Sequence, residues 1–146
     1  QKQILKNLKS IIPYAEDCNV TIALETDLEP NTFFQLLSDF NHPNVKANYD
    51  IGNSISNNYV TSEELEILKN LIVNIHIKDR IIHGNTVPLG TGDVNFENFF
   101  QILNHIDYQG ELIIQGARED LTKTISPEFT CLKYLEFVNR YLEKPT

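Results

Sequence analysis

The sequence lacks a surplus of positive charge: 12 Lys and Arg stand against 20 Asp and Glu, a formal net charge of −8 at pH 7. Holding a phosphate backbone calls for a basic face, so nucleic acid is excluded as the main partner. Cysteine is scarce, and Cys18 and Cys131 lie far apart with no C-x-x-C spacing. That usage points to structural thiols in a reducing, cytoplasmic setting. No apolar run reaches the ~18 residues of a membrane helix, and no signal-peptide pattern is read, so no membrane partner is expected. Linkers and low-complexity segments are missing too. What remains is 146 residues at 41% hydrophobic content, enough for one ordinary domain and too few for two large ones. The chain opens on Gln1 rather than Met, as expected of a processed or partial chain.

Along the chain, strand-like and helix-like segments alternate. Residues 1–18 place Ile4, Leu8, Ile11, Ile12 and Ala15 at helical spacing, with Pro13 expected to kink or break the helix near Ile12. "VTIALETD" (20–27) reads as a strand, and "NTFFQLLSDF" (31–40) as a helix capped by Asn31. "VKANYDIGN" (45–53) reads as a strand entering a Gly-Asn turn, followed by the helix "TSEELEILKNL" (61–71), opened by Thr61 or Ser62. Its acidic cluster, Glu63, Glu64 and Glu66, is expected on a solvated face. "IVNIHIKDR" (72–80) is the third strand, "NFENFFQILNHI" (95–106) a helix, "ELIIQGA" (111–117) the fourth strand, and 126–144 a long helix with Pro127 in its first turn.

Strict alternation implies a parallel sheet with right-handed crossovers. Residues two apart share a strand face. Thr21, Ala23 and Glu25, then Lys46, Asn48 and Asp50, then Asn74, His76 and Lys78, and finally Glu111, Ile113 and Gln115 form one polar face per strand. The opposite faces are apolar. A doubly wound sheet is covered by helices on both sides and reads apolar throughout, whereas a barrel opens its inner face into a site at the strands' C-terminal ends. The expected fold is therefore the C-terminal half of a (β/α)8 TIM barrel, four parallel strands alternating with helices. A complete barrel takes about 250 residues. Four strands alone leave two open edges, so an N-terminal half in the same protein, or pairing with a second half, is expected; a homo-oligomer is left open.

Three of the strand ends carry Glu25, Asp50 and His76, and neighbouring strands lie roughly 5 Å apart, so the three groups can converge. Two carboxylates and an imidazole suit a divalent metal ion: Mn, Co, Zn or Mg. Any one of them alone reads better as an ordinary strand-end residue; it is their common phase that carries the argument. His42 and His105 read as solvated, and His83, in the glycine-rich loop, is not favoured as a substrate contact.

The segments "ALET", "NYDIGN", "NIHIKDR", "PLGTGDVNFENFF" and "ELIIQGAR", in this order, resemble the second half of the xylose isomerase-like (AP endonuclease family 2) TIM barrels. That group contains sugar and sugar-phosphate isomerases and epimerases, hydroxypyruvate isomerase, inosose dehydratase and nucleases of the endonuclease IV type. The resemblance implies a metal-dependent isomerase or epimerase acting on a small sugar or sugar phosphate through a metal-bound enediolate. It implies that Glu25, Asp50 and His76 bind the metal, that Glu25 also handles a substrate proton, and that Asn53 and Arg80 contact substrate. Lys78 is carried as a further substrate-binding candidate, although with Asp79 it is expected to shape the loop mouth by pairing.

The family's fourth ligand, a strand-end Glu, falls on Gln115. An amide oxygen can still reach a metal, but it has no titratable proton, so two-carboxylate epimerisation is disfavoured. Arg118, as a phosphate contact, and Glu119, as a replacement proton carrier, are weaker candidates past the strand end. A metal-assisted sugar or sugar-phosphate isomerase/epimerase-like enzyme is the preferred reading, with one-base isomerisation or dehydration by Glu25 still open to it, and a catalytically degenerate sugar-binding relative is the alternative. A nuclease needs a richer set of His ligands and is least favoured.

Overall fold

The computed structural model describes residues 2–117 and 125–143. It begins with α1 (Lys2–Asp17), which runs through Pro13 without a break. Proline removes one backbone hydrogen bond. Burial of Ile12 and Ala15 on one face of α1, with Leu5 and Leu8 packed beside them, outweighs that loss. The helix ends where Asn19 adopts φ 54°, and Val20 N–H returns to Ala15 O at 2.8 Å.

Four strands, β1 (Ile22–Leu24), β2 (Val45–Asp50), β3 (Ile72–Ile77) and β6 (Glu111–Ile114), form a parallel sheet in the order β1-β2-β3-β6. A separate antiparallel pair, β4 (Asp79–Arg80) and β5 (Thr86–Val87), follows β3. Between the main strands run α2 (Pro30–Phe40), α3 (Ile51–Ser56), α4 (Thr61–Leu68) and α5 (Phe96–His105), and α6 (Pro127–Leu142) closes the described chain. The alternation and the parallel pairing agree with the expected architecture.

The core lies on the apolar face of the sheet. Val45, Ala47 and Tyr49 of β2 and Ile75 and Ile77 of β3 are buried against Phe33 and Leu37 of α2, Leu65 and Leu68 of α4, and Phe96, Phe99 and Phe100 of α5. Tyr141 of α6 stacks on Phe100 at 5.1 Å, and Phe137 meets Phe96 edge-on at 5.0 Å.

Several local expectations are corrected. All four strands end earlier than their sequence pattern suggested. Gly52 and Asn53 lie inside α3, not in a turn, because the Asp50 carboxylate caps that helix by accepting from Asn53 N–H at 2.9 Å. Gly52 is required there for a different reason: a Cβ would press on the Lys78 stem at 2.7 Å. Glu29, not Asn31, caps α2, accepting from the N–H groups of Asn31 and Thr32, with Pro30 at the first helical position. α4 follows Val60 with no side-chain cap. Glu63 and Glu66 are exposed as expected, but Glu64 is buried. Both cysteines are free and exposed, so they are not packing thiols.

Candidate functional site

Glu25 directly follows β1, Asp50 ends β2, and His76 is the penultimate residue of β3. Each offers a donor atom, and these atoms all lie within 4.8 Å of one another. His76 Nδ1 stands 3.2 Å from Glu25 Oε2 and 3.8 Å from Asp50 Oδ2. The strand register produces this convergence. Leu24 pairs with Ala47, so Glu25 stands level with Asn48, while Asp50 faces His76 directly. Ile77 pairs with Ile114, so Gln115 stands level with Lys78, two residues beyond His76. The diagonal from 25 through 50 and 76 to 115 follows the stagger that strand tilt imposes in a barrel.

Each carboxylate is already oriented. Asp50 spends Oδ1 on the α3 cap and presents Oδ2 to Lys78 Nζ at 2.8 Å. Glu25 Oε2 accepts from Asn48 Nδ2 at 2.7 Å, and its Oε1 accepts from Asn53 Nδ2 at 3.1 Å. Asn53 Oδ1 in turn accepts from Arg80 Nη1 at 3.0 Å, and Arg80 also donates to Gly84 O through Nε and Nη2. Glu25, Asn53, Asn57 and Arg80 line one open cleft of about 420 Å³. The cleft, which Asp27 also lines, thus joins two carboxylates with amides and a guanidinium: all can hydrogen-bond a sugar hydroxyl, and the amides and guanidinium can also hold a phosphate oxygen.

The donor set fits a divalent cation. Two carboxylates and a neutral imidazole balance a 2+ charge, and their mixed oxygen and nitrogen chemistry suits Mg, Mn, Co or Zn. Lys78 supplies a positive partner to the same Asp50 oxygen that faces His76.

Among the other sequence candidates, Gln115 continues the ladder past β6 through its N–H to Ile77 O at 2.9 Å, with an exposed side chain. The backbone beyond it is held by Tyr134, whose ring leaves no room for a Cβ on Gly116 and whose hydroxyl donates to Ala117 O at 3.1 Å. Arg118 and Glu119 lie outside the described residues. His83 is exposed at φ 55°, His42 lies 3.7 Å from Glu16, and His105 ends α5 on the surface. Lys78 and Asp79 do pair with neighbours, though not with each other. Asp79 is completely buried, and its carboxylate accepts from the N–H groups of Gly90, Gly92 and Val94.

Sequence reasoning gave no role to Asn48, Asn74 or Glu64. Asn48 and Asn74 shared the polar face with the candidates, which was the available signal. Glu64 gave none, since it sits in an acidic run; its carboxylate accepts from Tyr49 Oη at 3.1 Å and from Ser54 Oγ. Burial pushes the Glu64 carboxyl above its ordinary range, while the two hydroxyls draw it back. Through Ser54, Glu64 anchors the helix that carries Asn53.

The sequence profile of the xylose isomerase-like TIM barrel family matches residues 1–134. A Haemophilus influenzae protein provisionally named L-ribulose-5-phosphate 3-epimerase SgbU is 27% identical over 157 aligned positions, 98% of this chain and 53% of that protein. The crystal structure of a xylose isomerase domain protein from Planctomyces limnophilus superposes with a TM-score of 0.80 at 24% identity, covering 96% of this chain and 51% of that one. A xylose isomerase-like TIM barrel protein from Mycobacterium smegmatis, solved in complex with magnesium, superposes at 0.71 with 17% identity, covering 97% and 50%. The chain spans about half the length of these relatives. With four parallel strands in place and a profile that runs through all but the last residues, the chain belongs to the xylose isomerase-like TIM barrel family.

Proposed function

We propose that this chain is the C-terminal half of a divalent-metal-dependent isomerase or epimerase acting on a small sugar or sugar phosphate. The observation that carries the reading is the convergence of Glu25, Asp50 and His76 donor atoms within 4.8 Å at the C-terminal ends of three adjacent strands. An N-terminal half of the same protein supplies the remaining strands, in keeping with relatives about twice as long. A cytoplasmic setting is consistent with two free, exposed cysteines.

Glu25, Asp50 and His76 would hold the ion, with the Gln115 side-chain oxygen as a fourth donor. When bound, a divalent ion supplies polarisation of a sugar carbonyl and its neighbouring hydroxyl. Glu25 removes the proton from the hydroxyl-bearing carbon beside that carbonyl and returns it to the former carbonyl carbon, while the hydroxyl's own proton passes to the former carbonyl oxygen, so that the carbonyl and the hydroxyl exchange places. Its two oxygens are steadied by Asn48 and Asn53, so the free lone pairs have a defined direction. Asn53 and Arg80 bind substrate oxygens from the cleft wall, Lys78 holds Asp50 in place, and Arg118 is assigned to a phosphate group when one is present.

The test uses the full-length protein with Mn²⁺ and a panel of ketoses and sugar phosphates in D₂O, following proton exchange by NMR. Glu25→Gln is expected to abolish exchange, and His76→Ala to lower the metal content of the purified protein. Exchange retained in both variants overturns the reading. Tight sugar binding without exchange in the unaltered protein instead supports a non-catalytic relative, the alternative raised by Gln115, whose amide carries no titratable proton.

A further inference from the structure

Beneath the three converging donors lies a side chain that faces two of them. Asn48 is 7% exposed and sits on the same strand face as Asp50, two residues earlier. Its Nδ2 is 2.7 Å from Glu25 Oε2 and 3.2 Å from both ring nitrogens of His76. Its Oδ1 accepts from Asn74 Nδ2 at 2.7 Å, and Asn74 is its register partner on β3.

The direction of this chain is fixed by chemistry. An ionised carboxylate only accepts, so Asn48 must turn its NH₂ toward Glu25. Asn74 donates to the other end of the same amide and so opposes a flip, which would set oxygen against oxygen at Glu25 and nitrogen against nitrogen at Asn74. The amide is also neutral. It orients the Glu25 carboxylate beside His76 without adding a third negative charge to a pair already matched to a 2+ ion. An Asp here would repel Glu25, and a Leu would leave Glu25 Oε2 without this donor.

We propose that Asn48, oriented by Asn74, is a positioning residue that holds the Glu25 carboxylate in place, beside His76, for a shared divalent cation. The inference rests on the metal-binding reading above and extends it to two residues that do not touch the ion.

The experiment measures Mn²⁺ binding alone by calorimetry in the full-length protein, with melting temperature recorded for each variant. Asn48→Leu is expected to weaken Mn²⁺ binding by roughly 10- to 100-fold, the usual consequence of losing a group that orients metal ligands. Asn74→Ala weakens it by less, because Asn48 keeps its amide but loses its guide. Asn74→Asp is the discriminating variant and avoids the buried position. A carboxylate at 74 cannot donate to Asn48 Oδ1 and turns the Asn48 amide, so binding falls below that of Asn74→Ala. Simple charge attraction predicts the reverse, tighter binding from an added negative charge. In the Asn48→Leu background, Asn74→Ala changes nothing further, because the two residues act as one unit. If the unaltered protein binds Mn²⁺ and Asn74→Asp binds it as well or better, the positioning role is overturned and the metal site stands. If the unaltered protein does not bind Mn²⁺ at all, both fall together.

Discussion

Two buried aspartates, Asp50 and Asp79, stand within thirty residues of each other and do opposite work. Asp79 gives both oxygens to backbone: Gly90 and Gly92 N–H donate to Oδ2 at 2.9 and 2.8 Å, and Val94 N–H donates to Oδ1 at 3.2 Å. Asp50 gives one oxygen to backbone at the start of α3 and leaves the other to side chains, Lys78 and His76. A carboxylate saturated by main-chain donors builds a loop, whereas one facing movable side chains keeps capacity for a ligand. The comparison also explains the glycine-rich segment after β3. A side chain at Gly92 would collide with the Asp79 carboxylate, and Gly90 adopts φ 82° against the Phe137 ring. These glycines serve a structural clamp rather than a phosphate site.

The largest expected effect follows from removing the clamp. Asp79→Ala strands three backbone donors around a buried position and should cost about 3 kcal/mol or more of stability. Denaturant unfolding of the full-length protein measures it, and a change within experimental error would end the distinction between the two aspartates. Asp50→Asn should do the converse. The Asn oxygen can still cap α3, so the fold is largely kept, while Mn²⁺ binding falls by at least about 100-fold. Equal loss of stability in the two variants would show that Asp50 is also chiefly structural.

A third variant sharpens the site at its far end. Gln115→Glu returns a charged oxygen to the last position of the diagonal and should tighten Mn²⁺ binding by about tenfold, roughly 1.4 kcal/mol. It also supplies a second group able to carry a proton. Deuterium exchange at a second substrate position should therefore rise relative to the unaltered protein. Unchanged affinity would place residue 115 outside the reach of the ion.

Strand phase made much of this legible. The recurrence of Glu25, Asp50 and His76 on the polar faces requires only the two-residue alternation of a strand, and the register then sets Asp50 opposite His76 and Glu25 two residues below them on the diagonal. The asparagines at 48 and 74 shared that phase, but an amide's value depends on which neighbours it meets, and pairing across strands is not written in one strand's pattern. The helix α3 was hidden because Asp50 serves as both site residue and cap, and the Gly-Asn pair after it reads as a turn until Lys78 is seen packed on Gly52. The β4-β5 pair was hidden for a similar reason: Asp79 and Arg80 prolong an apparently continuous strand, and only the Asp79 clamp shows where it ends.

Glu64 offers the smallest effect and a comparison within one helix turn, since Glu63 and Glu66 beside it are exposed. Desolvation raises its carboxyl above 4.5, more than the Ser54 and Tyr49 hydroxyls lower it. The folded state therefore holds this proton more tightly than the unfolded chain does. Stability from Glu64 is fully present below the unfolded value and is lost as pH rises through the folded one. Glu64→Gln keeps an acceptor for both hydroxyls and has no proton to lose. The variant should match the unaltered protein near pH 4 and gain on it as pH rises, the difference levelling off once Glu64 is fully ionised. Urea unfolding from about pH 4 to about pH 8 follows this difference and cancels the titration of every other group common to both proteins. Curves that run parallel throughout would mean that water reaches this carboxylate as freely as it reaches Glu63.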